Sequence, residues 1–493
     1  MKNVIKINLC RRKIREFNPI WAFAPRRGPK VALFYPAPYE VASQSLGFQL
    51  VYALLIAHGI RAERFTTDSC GFSLETKTPI KKFDFILASS SFEIDYLYLA
   101  DFLKRYKTNQ KVLVGGLSPM ANPIPLFDLV DYVVLGEAEA TIPQLASDFH
   151  SGDIEPREWL VSSTSEGGKK AWIDLKDAPL LASQFLPLDI DPPWGKGFLI
   201  EVTRGCPHKC RFCMEGWINK PFRERDLKSV IKVLREVGEP YEKVITLSLS
   251  LTDYNDYKAY LRELASLEVT GSVPSLRVDG IDEEAVELIR AIGQRTVTVA
   301  PETTLPEKSK VLGKGFNPSF LKEKINLVKK VQLKPKAYVM IVPGEHLETA
   351  KKEIENLKEI FGKETHFTVN PLIPKPWTPL QIAPIPSDRE ERVLIYYKKN
   401  LPNADLYPIR WAKLQAILSL ATKPVLKYLD PKLPPSKQIA ELAKVIDLSE
   451  LHKWRTGWEP PWMNFEVADP REALRLGEES YEAWREVFSE SRT

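Results

Sequence analysis

The sequence predicts an α/β protein with two parallel-sheet domains followed by a mainly helical C-terminal region. From Lys30 to about residue 155, short apolar strands alternate with helical segments, and a second alternation runs from Gly197 to Pro384. Such alternation is typical of a parallel sheet covered by helices. Beyond Pro384 it gives way to helical segments and loops rich in proline and tryptophan. The length of 493 residues also indicates several domains, because it exceeds what one hydrophobic core usually organises.

The first alternation predicts a doubly wound, Rossmann-like domain over residues 30–155, preceded by an irregular extension over residues 1–29. Loops that follow parallel strands gather at one sheet edge, where ligands usually bind. The predicted strands are KVALFYP, RAERFTT, FDFILASS, KVLVGG and DYVVLG, and the predicted helices are QSLGFQLVYALLIAHG, DYLYLADFLKRY and AEATIPQLASDF.

The second alternation predicts a barrel-like domain over residues 197–384. Residues 156–196 come first, with a predicted hairpin turning at Gly167 and Gly168 and then a proline-bearing linker. Six strand–helix units predict a (β/α)6 partial TIM barrel rather than a closed barrel of eight. Residues 385–493 are predicted to form a C-terminal cap. The six barrel strands are GFLIEVT, KVITLSLS, VPSLRV, RTVTVAPE, PKAYVMIVP and HFTVNPLIP.

Charge and hydropathy favour a cytoplasmic protein without membrane insertion. No apolar stretch approaches 18 residues, and the N-terminus lacks the features of a secretory signal. The net charge of +5 is mild, so nucleic-acid binding is not favoured, and the basic runs near the N-terminus are interpreted as a solvated arm. Five cysteines, three of them clustered, fit a reducing compartment and a metal site better than a disulfide framework. Cys10 and Cys70 are expected to be ordinary packed or surface thiols.

The clustered cysteines lie in the stretch RGCPHKCRFC, directly after the first predicted barrel strand, and are Cys206, Cys210 and Cys213. A structural zinc site needs four ligands, but no second cysteine or histidine pair follows at suitable spacing, and His208 inside the loop would face away. Chance clustering in a core is disfavoured because the loop is polar. An iron–sulfur cluster is therefore the leading interpretation, with zinc as the alternative. Three thiolates would leave one iron of a 4Fe–4S cluster open to a small molecule.

This CxxxCxxC loop, with Phe212 just before its last cysteine, resembles the signature of the radical SAM superfamily. The resemblance implies catalytic and metal-binding roles for the three cysteines: they hold a 4Fe–4S cluster whose open iron binds S-adenosylmethionine (SAM). An electron from the cluster then cleaves SAM to a 5′-deoxyadenosyl radical. It also implies an organic substrate and an electron donor such as ferredoxin or flavodoxin. Its predicted SAM-contacting residues, which could alternatively be solvated loop charges, are Phe212, Ser248, Ser250, Thr252, Arg277, Asp279, Glu302 and Lys314.

Arg277 and Asp279 carry charged groups that match two parts of SAM. Arg277 suits the SAM carboxylate and Asp279 suits a ribose, and Arg277 is expected to lie in an otherwise apolar strand. At the end of the second strand, however, relatives often carry a Gly-Gly-Glu turn for the amino group, whereas this chain has LSLSLTD. Recognition of the amino group therefore departs from the family pattern.

A closer resemblance is to the radical SAM subgroup with an N-terminal cobalamin-binding domain. It rests on EVTRGCPHKCRFCMEGW, PSLRVDG, APETT, GKG, PLIPKPWTPLQ and PPWMNF, and spans about residues 30–470. It implies that residues 30–155 bind cobalamin, although the DxHxxG motif that supplies a histidine to cobalt elsewhere is missing. His58 is interpreted as a helix-terminal cation, and a purely structural role for the domain is the alternative. The predicted cobalamin-contacting residues are Ser89, Ser90, Ser91, Gly115, Gly116 and Glu137.

The function that this resemblance implies is methyl transfer to an unactivated carbon, or to phosphorus. A cobalamin-assisted rearrangement, a cyclisation or another radical oxidoreduction would use the same sites. A non-catalytic iron–sulfur or RNA-binding module is the alternative from another class. Methylthiotransferases acting on tRNA are also similar, but they carry a further cysteine trio in their N-terminal domain, where this chain has only Cys10 and Cys70.

Overall fold

Parallel strands and the helices that cover them form most of the regular structure. The computed structural model describes residues 3–267, 269–315 and 317–488. Within these ranges the strands are β1 (Val4–Asn8), β2 (Lys13–Phe17), β3 (Lys30–Tyr35), β4 (Arg61–Thr66), β5 (Phe85–Ser89), β6 (Lys111–Gly115), β7 (Tyr132–Val134), β8 (Leu160–Val161), β9 (Gly168–Lys169), β10 (Leu186–Pro187), β11 (Gly197–Glu201), β12 (Thr203–Arg204), β13 (Arg223–Glu224), β14 (Lys243–Leu247), β15 (Thr270–Ser272), β16 (Thr296–Glu302), β17 (Lys334–Ile341), β18 (His366–Pro371), β19 (Ala404–Leu406) and β20 (Phe465–Glu466).

The helices follow the strands in the alternation that the sequence predicts. In chain order they are α1 (Tyr39–Ala42), α2 (Leu46–Ala57), α3 (Asp95–Tyr106), α4 (Leu117–Ala121), α5 (Ala138–Ser151), α6 (Met214–Ile218), α7 (Leu227–Leu234), α8 (Tyr257–Ala265), α9 (Glu283–Ala291), α10 (Pro306–Leu312), α11 (Pro318–Lys330), α12 (Leu347–Phe361), α13 (Asp388–Asn400), α14 (Ile409–Ser419), α15 (Pro435–Leu442) and α16 (Pro470–Phe488).

The N-terminal sheet is doubly wound, as predicted. Its strand order is β4-β3-β5-β6-β7-β8, and the first five strands are parallel. Both faces of its strands are apolar, because Val31 and Leu33 pack with α2 and α5 while Ala32 and Phe34 pack with α3. The chain direction across the sheet reverses between β3 and β5. Ligands of open α/β sheets bind outside the strand ends at such a switch point.

The second domain is a partial barrel of parallel strands in two runs, β11-β14-β15 and β16-β17-β18-β19. A single bridge between Leu276 and Val299 joins the runs. The strand predicted at VPSLRV was wrong in position, because β15 ends at Ser272 and only that bridge follows it. Pro274 has no N–H to donate, and the Val273 N–H donates to the Gln294 side chain at 2.7 Å instead of to a strand.

The N-terminal segment is a hairpin, so the prediction of an irregular extension was wrong. Strands β1 and β2 pair antiparallel, and β10 from the predicted linker adds a third strand. Ile7 and Ile14 point into the core of the doubly wound domain, while charged residues alternate with them on the exposed face. Each strand is only five residues long and rich in charged residues, so the alternation of buried and exposed positions was too short to be recognised as a strand.

Cys10 and Cys70 form a disulfide, with 5.4 Å between their Cα atoms, so the prediction of two separate thiols was wrong. The hairpin brings Cys10 to the turn after β4, where its N–H donates to the Asp68 carbonyl at 2.8 Å. A separation of 60 residues in the sequence gives no indication of this contact.

The hairpin predicted at Gly167 and Gly168 is not formed. Strand β8 pairs antiparallel with β7, and β9 pairs in parallel with β20 near the C-terminus. This segment therefore attaches the C-terminal region to the doubly wound sheet. On the barrel side, β19 pairs with β18 and extends that sheet into the segment predicted as the cap.

A buried ion network fixes the hairpin to the sheet. The Arg64 side chain is fully buried; its Nη2 lies 2.6 Å from Glu16 Oε1, and its Nε lies 2.5 Å from Glu75 Oε1. The guanidinium also lies 3.9 Å from the ring centroid of Phe185 in the linker. Hairpin, sheet and linker are thus held by one cation.

We expect Arg64→Met to destabilise the N-terminal domain by about 3–5 kcal/mol, because two buried carboxylates would lose their common cation. Thermal unfolding under anaerobic conditions measures the change. The matched control is Arg15→Met in the same hairpin, where an exposed guanidinium pairs with Asp189. Equal melting temperatures for the two variants would contradict a stabilising role for the buried network.

Candidate functional site

The cysteine loop begins at the C-terminal end of the first barrel strand. After β11, strand β12 pairs with β13, and Gly205 then turns the chain into the loop with φ of +81°. A Cβ on Gly205 would lie 2.5 Å from the Asn219 carbonyl oxygen and 2.8 Å from that of Pro221. Only glycine fits this turn without moving backbone. The loop is therefore fixed where barrel active sites are found.

The three thiols border one small region at the start of α6. A Cβ on Gly216 would lie 3.8 Å from both Cys206 Cβ and Cys213 Sγ, so these two cysteines flank the same glycine. The Cys210 carbonyl accepts from the Cys213 N–H at 3.2 Å and from the Trp217 Nε1–H at 2.9 Å. Across residues 3–267, 269–315 and 317–488, no three His, Cys, Asp or Glu side chains converge as ligands of one metal ion do.

Burial keeps the thiols of Cys206 and Cys213 protonated when no metal is present. Burial, with a smaller contribution from Glu215, raises the pKa of Cys213 to about 12. Burial also raises the pKa of Cys206 above its ordinary value. Thiolates at this position therefore require a nearby positive charge, which bound iron would supply.

In metal-free protein at pH 9 we expect Cys213 to react with iodoacetamide far more slowly than an exposed thiol. With a pKa of about 12, only on the order of one Cys213 in a thousand is a thiolate at that pH. Peptide mass spectrometry after timed labelling measures the rate. Labelling of Cys213 as fast as a free cysteine added to the same sample would contradict this protonation state.

The loop after the second barrel strand is attached to the cysteine loop. His208 Nε2 lies 2.7 Å from Asp253 Oδ2, and the Ser250 hydroxyl donates to the same carboxylate. Ser248 Oγ lies 2.6 Å from Thr203 Oγ1. His208 is thus engaged with Asp253, and the hydroxyl of buried Ser250 is used within its own loop.

Most of the other residues predicted to contact SAM converge near the cysteine loop. Arg277 Nη2 lies 3.0 Å from Asp279 Oδ2, and both border a cavity of about 190 Å³ together with Lys314. Lys314 Nζ lies 3.5 Å from Glu302 Oε1 and 5.8 Å from the ring centroid of Phe212. Arg277 begins a turn rather than lying in a strand, so that expectation was wrong. Thr252 packs against Gly280, the residue after Asp279, and is not among the residues that border this cavity.

A larger cavity of about 480 Å³ lies between the doubly wound sheet and the barrel. Its walls are mainly apolar and come from the carboxyl ends of sheet strands, from α2 and α5, and from the barrel loops around β12 and β14. Four residues predicted for cobalamin and one predicted for SAM border it, namely Ser89, Gly115, Gly116, Glu137 and Ser248.

Three predicted cobalamin contacts have other partners. The Ser91 N–H donates to Asp95 Oδ2 at 2.9 Å, and the Ser90 hydroxyl donates to the Phe92 carbonyl at 3.2 Å. Gly116 has φ of +111°, and a Cβ there would lie 2.1 Å from the Ser90 carbonyl oxygen. This glycine allows two neighbouring strand ends to approach each other, and it also borders the larger cavity.

Glu137 connects the two domains. Its carboxylate lies 2.6 Å from Arg223 Nη2 and 3.1 Å from Arg204 Nη1, both in the barrel domain. Burial alone would raise the pKa of Glu137, but the two guanidinium groups outweigh burial and hold this pKa below its ordinary value. Glu137, which was predicted to contact cobalamin, therefore forms ion pairs between the two domains where it borders the larger cavity.

Sequence reasoning missed the helix α2 and Arg204 as parts of the larger cavity. Leu46, Gly47 and Leu50 of α2 border it from the sheet side. A signal was present, because α2 is apolar on almost every side, and such a helix contacts other groups on more than one face. Arg204 directly precedes the cysteine loop and gave no comparable signal.

Comparison with known families agrees with this architecture. The model of the Radical SAM superfamily matches residues 200–357, and that of Radical SAM proteins, N-terminal, matches residues 57–163. The chain belongs to the radical SAM superfamily. Members of this superfamily use a 4Fe–4S cluster and SAM. Of the described helices of this radical SAM protein, none is long and apolar enough to cross a membrane.

Individual relatives cover different parts of the chain. An uncharacterized protein of Methanocaldococcus jannaschii is 27% identical over 433 residues, which are 84% of this chain and 94% of the relative. A putative methylthiotransferase of the same organism is 31% identical over 208 residues, 38% of this chain and 44% of the relative. The radical SAM methyltransferase TsrM from Kitasatospora setae, solved with tryptophan and a SAM analog, has a TM-score of 0.56 at 16% identity; the match covers 92% of this chain and 95% of TsrM. That likeness shows a shared fold.

Proposed function

We propose that this radical SAM enzyme uses cobalamin as a second cofactor and transfers a methyl group to an unactivated carbon, or to phosphorus, of an organic substrate. The observation that carries the proposal is the large, mainly apolar cavity between the doubly wound sheet and the barrel. It opens at the carboxyl ends of both sets of strands, on the side where the cysteine loop begins. Molecules bound in this cavity would therefore lie on the same side of the barrel as the cysteine loop.

The cysteine loop fits a 4Fe–4S cluster by the chemistry of its donors. The loop supplies three sulfurs, from Cys206, Cys210 and Cys213. Its histidine, His208, could also bind a metal but is paired with Asp253. These three cysteines would hold the cluster and leave one iron for SAM. When bound, the cluster supplies the electron for reductive cleavage of SAM. The chain's own part is to present the three thiolates from one loop and to orient SAM.

The smaller cavity, which lies beside the cysteine loop, fits the polar ends of SAM. Arg277 would pair with the carboxylate, and Asp279 with a ribose hydroxyl, because both border the smaller cavity. Glu302 and Lys314 form the neighbouring ion pair, and Phe212 lies next to the lysine. Ser248 borders the larger cavity rather than the smaller one, so it would contact the molecule bound in the larger cavity.

The larger cavity fits the flat, largely apolar ring of a corrinoid. Gly47 borders it, and a Cβ built on Gly47 meets no heavy atom within 4 Å, so this position faces open space. The cavity also lies over the switch point between β3 and β5, where doubly wound sheets bind ligands. No histidine is among the described residues that border it, so cobalt would receive none from this wall.

Two kinds of support favour methyl transfer over methylthiolation. TsrM, whose fold the chain shares over most of its length, is a methyltransferase. Methylthiotransferases carry a further cysteine trio in their N-terminal domain, whereas the two cysteines at the corresponding end of this chain, Cys10 and Cys70, are joined in a disulfide. Rearrangement or cyclisation would use the same cavities and remains the second candidate.

The proposal includes a protein electron donor such as ferredoxin or flavodoxin, because cleavage of SAM consumes an electron at low potential. It also includes a cytoplasmic location, where the cluster thiols would be kept reduced; the Cys10–Cys70 disulfide is of a kind that is rare in that compartment. Comparing metabolites of deletion and wild-type cells would test the reaction itself. A product that lacks one methyl group in the deletion strain supports methyl transfer, whereas a missing ring supports cyclisation.

We expect anaerobically reconstituted protein to bind four irons and to release 5′-deoxyadenosine from SAM under a strong reductant. Replacing any one of Cys206, Cys210 and Cys213 by alanine should abolish the broad iron–sulfur absorbance and reduce 5′-deoxyadenosine to background, because two thiolates hold a cubane poorly. Absorption spectroscopy, iron analysis and chromatography measure these quantities. Retention of the absorbance in all three variants would refute the assignment of the ligands.

We expect Gly47→Phe to lower cobalamin binding at least tenfold, because the new ring would project into the larger cavity. Equilibrium dialysis with hydroxocobalamin measures the affinity. Cluster content and 5′-deoxyadenosine release should stay at wild-type levels, because Gly47 does not contact the cysteine loop. The matched control is Gly238→Phe, at an exposed glycine whose added Cβ also meets nothing within 4 Å. Unchanged cobalamin affinity in Gly47→Phe would place the corrinoid elsewhere.

A further inference from the structure

A second buried ion network lies below the carboxyl end of β16, outside both cavities. Lys308, Glu345 and Glu353 are all fully buried. Lys308 Nζ lies 3.0 Å from Glu345 Oε2 and 3.1 Å from Glu353 Oε2. Taking three ionised groups out of water costs free energy that one cation shared by two carboxylates repays only in part. A network of this kind is weak evidence for stability and calls for another role.

The network holds the two residues that follow β16. Glu353 Oε2 accepts from the Thr303 hydroxyl at 2.5 Å, and Glu353 Oε1 accepts from the Thr304 N–H at 2.5 Å. Directly before them, Glu302 has φ of +65°, in the left-handed region that side chains larger than glycine rarely adopt. Such a conformation persists only where the surroundings determine it. The carboxylate of Glu353, which lies in α12, fixes this conformation through its hydrogen bonds to Thr303 and Thr304.

The same network anchors the partner of Glu302. Lys308 lies in α10 beside Ser309, whose hydroxyl donates to the Lys314 carbonyl. Lys314 Nζ in turn reaches Glu302 Oε1 at 3.5 Å and borders the smaller cavity with Arg277. Both members of the Glu302–Lys314 pair are therefore attached to one buried group of charges.

We infer that Glu353 is a positioning residue for SAM, which acts by holding Glu302 and Lys314 against the cysteine loop. The inference rests on the proposed function, since it takes the smaller cavity beside the cysteine loop as the SAM site. Glu353 itself contacts neither cavity, and its effect passes through Thr303 and Thr304. A purely structural role would change the stability of the protein but would leave the affinity of the folded enzyme for SAM unaltered.

The test is Glu353→Gln in full-length protein with the reconstituted cluster. The neutral amide keeps the size of the side chain but removes the charge that Lys308 and the two threonines share. We expect KM for SAM in 5′-deoxyadenosine release to rise about tenfold, with iron content unchanged and a smaller effect on kcat, because small misplacements of binding groups are costly. The matched control is Glu359→Gln on the exposed side of the same helix, where Lys322 Nζ lies 2.9 Å away.

A second pair of variants keeps the test decisive if Glu353→Gln does not fold. Thr303→Val removes one donor to Glu353 and should raise KM several-fold, whereas Thr303→Ser keeps the hydroxyl and should restore the wild-type value. Wild-type KM in folded Glu353→Gln or in Thr303→Val would overturn the inference and leave the proposed function standing. A wild-type enzyme that holds four irons but releases no 5′-deoxyadenosine would overturn both.

Discussion

The contacts of Arg204 hold the two domains with their strand ends facing each other. Its guanidinium lies 2.8 Å from Glu139 of the sheet domain, 2.8 Å from Glu201 at the end of β11 and 3.1 Å from Glu137. These carboxylates raise the pKa of Arg204 although burial opposes them. Because the group is largely removed from water, loss of either side would leave charges buried without partners. All four of these charged residues border the larger cavity, so this contact joins its two walls.

The position of Arg204 in the sequence links that contact to the cysteine loop. Gly205 follows it with a conformation that only glycine fits, and Cys206 comes next. The barrel strand, the interdomain ion pairs and the first cysteine therefore occupy consecutive positions of one segment. The larger cavity begins on one side of this segment, and the smaller cavity, which Arg277 and Lys314 border, lies at the same end of the barrel. Under the proposed function, each cofactor would meet the other across the cysteine loop.

The parallel sheets were predictable, because continuous apolar runs such as KVALFYP are typical of strands that are buried on both faces. The loop cysteines were predictable as a group, since three thiols in eight positions of polar loop have few explanations. Contacts between distant segments were not. The hairpin with Ile7 and Ile14 was hidden by charged neighbours, the Cys10–Cys70 pairing depends on that hairpin, and the role of Glu137 depends on arginines of another domain. Serine-rich strand ends suggested ligand contacts at Ser90 and Ser91. In the structure the Ser90 hydroxyl donates to the Phe92 carbonyl and the Ser91 N–H donates to Asp95.

Under the proposed function, three cysteines hold a cluster whose fourth iron is open to SAM. Mössbauer spectroscopy of full-length protein reconstituted with ⁵⁷Fe, recorded with and without SAM, tests it most directly. We expect one iron in four to change its isomer shift and quadrupole splitting when SAM is added, because amino and carboxylate groups join its coordination. Four irons with spectra unaffected by SAM, or a protein that takes up zinc in place of iron, would contradict it.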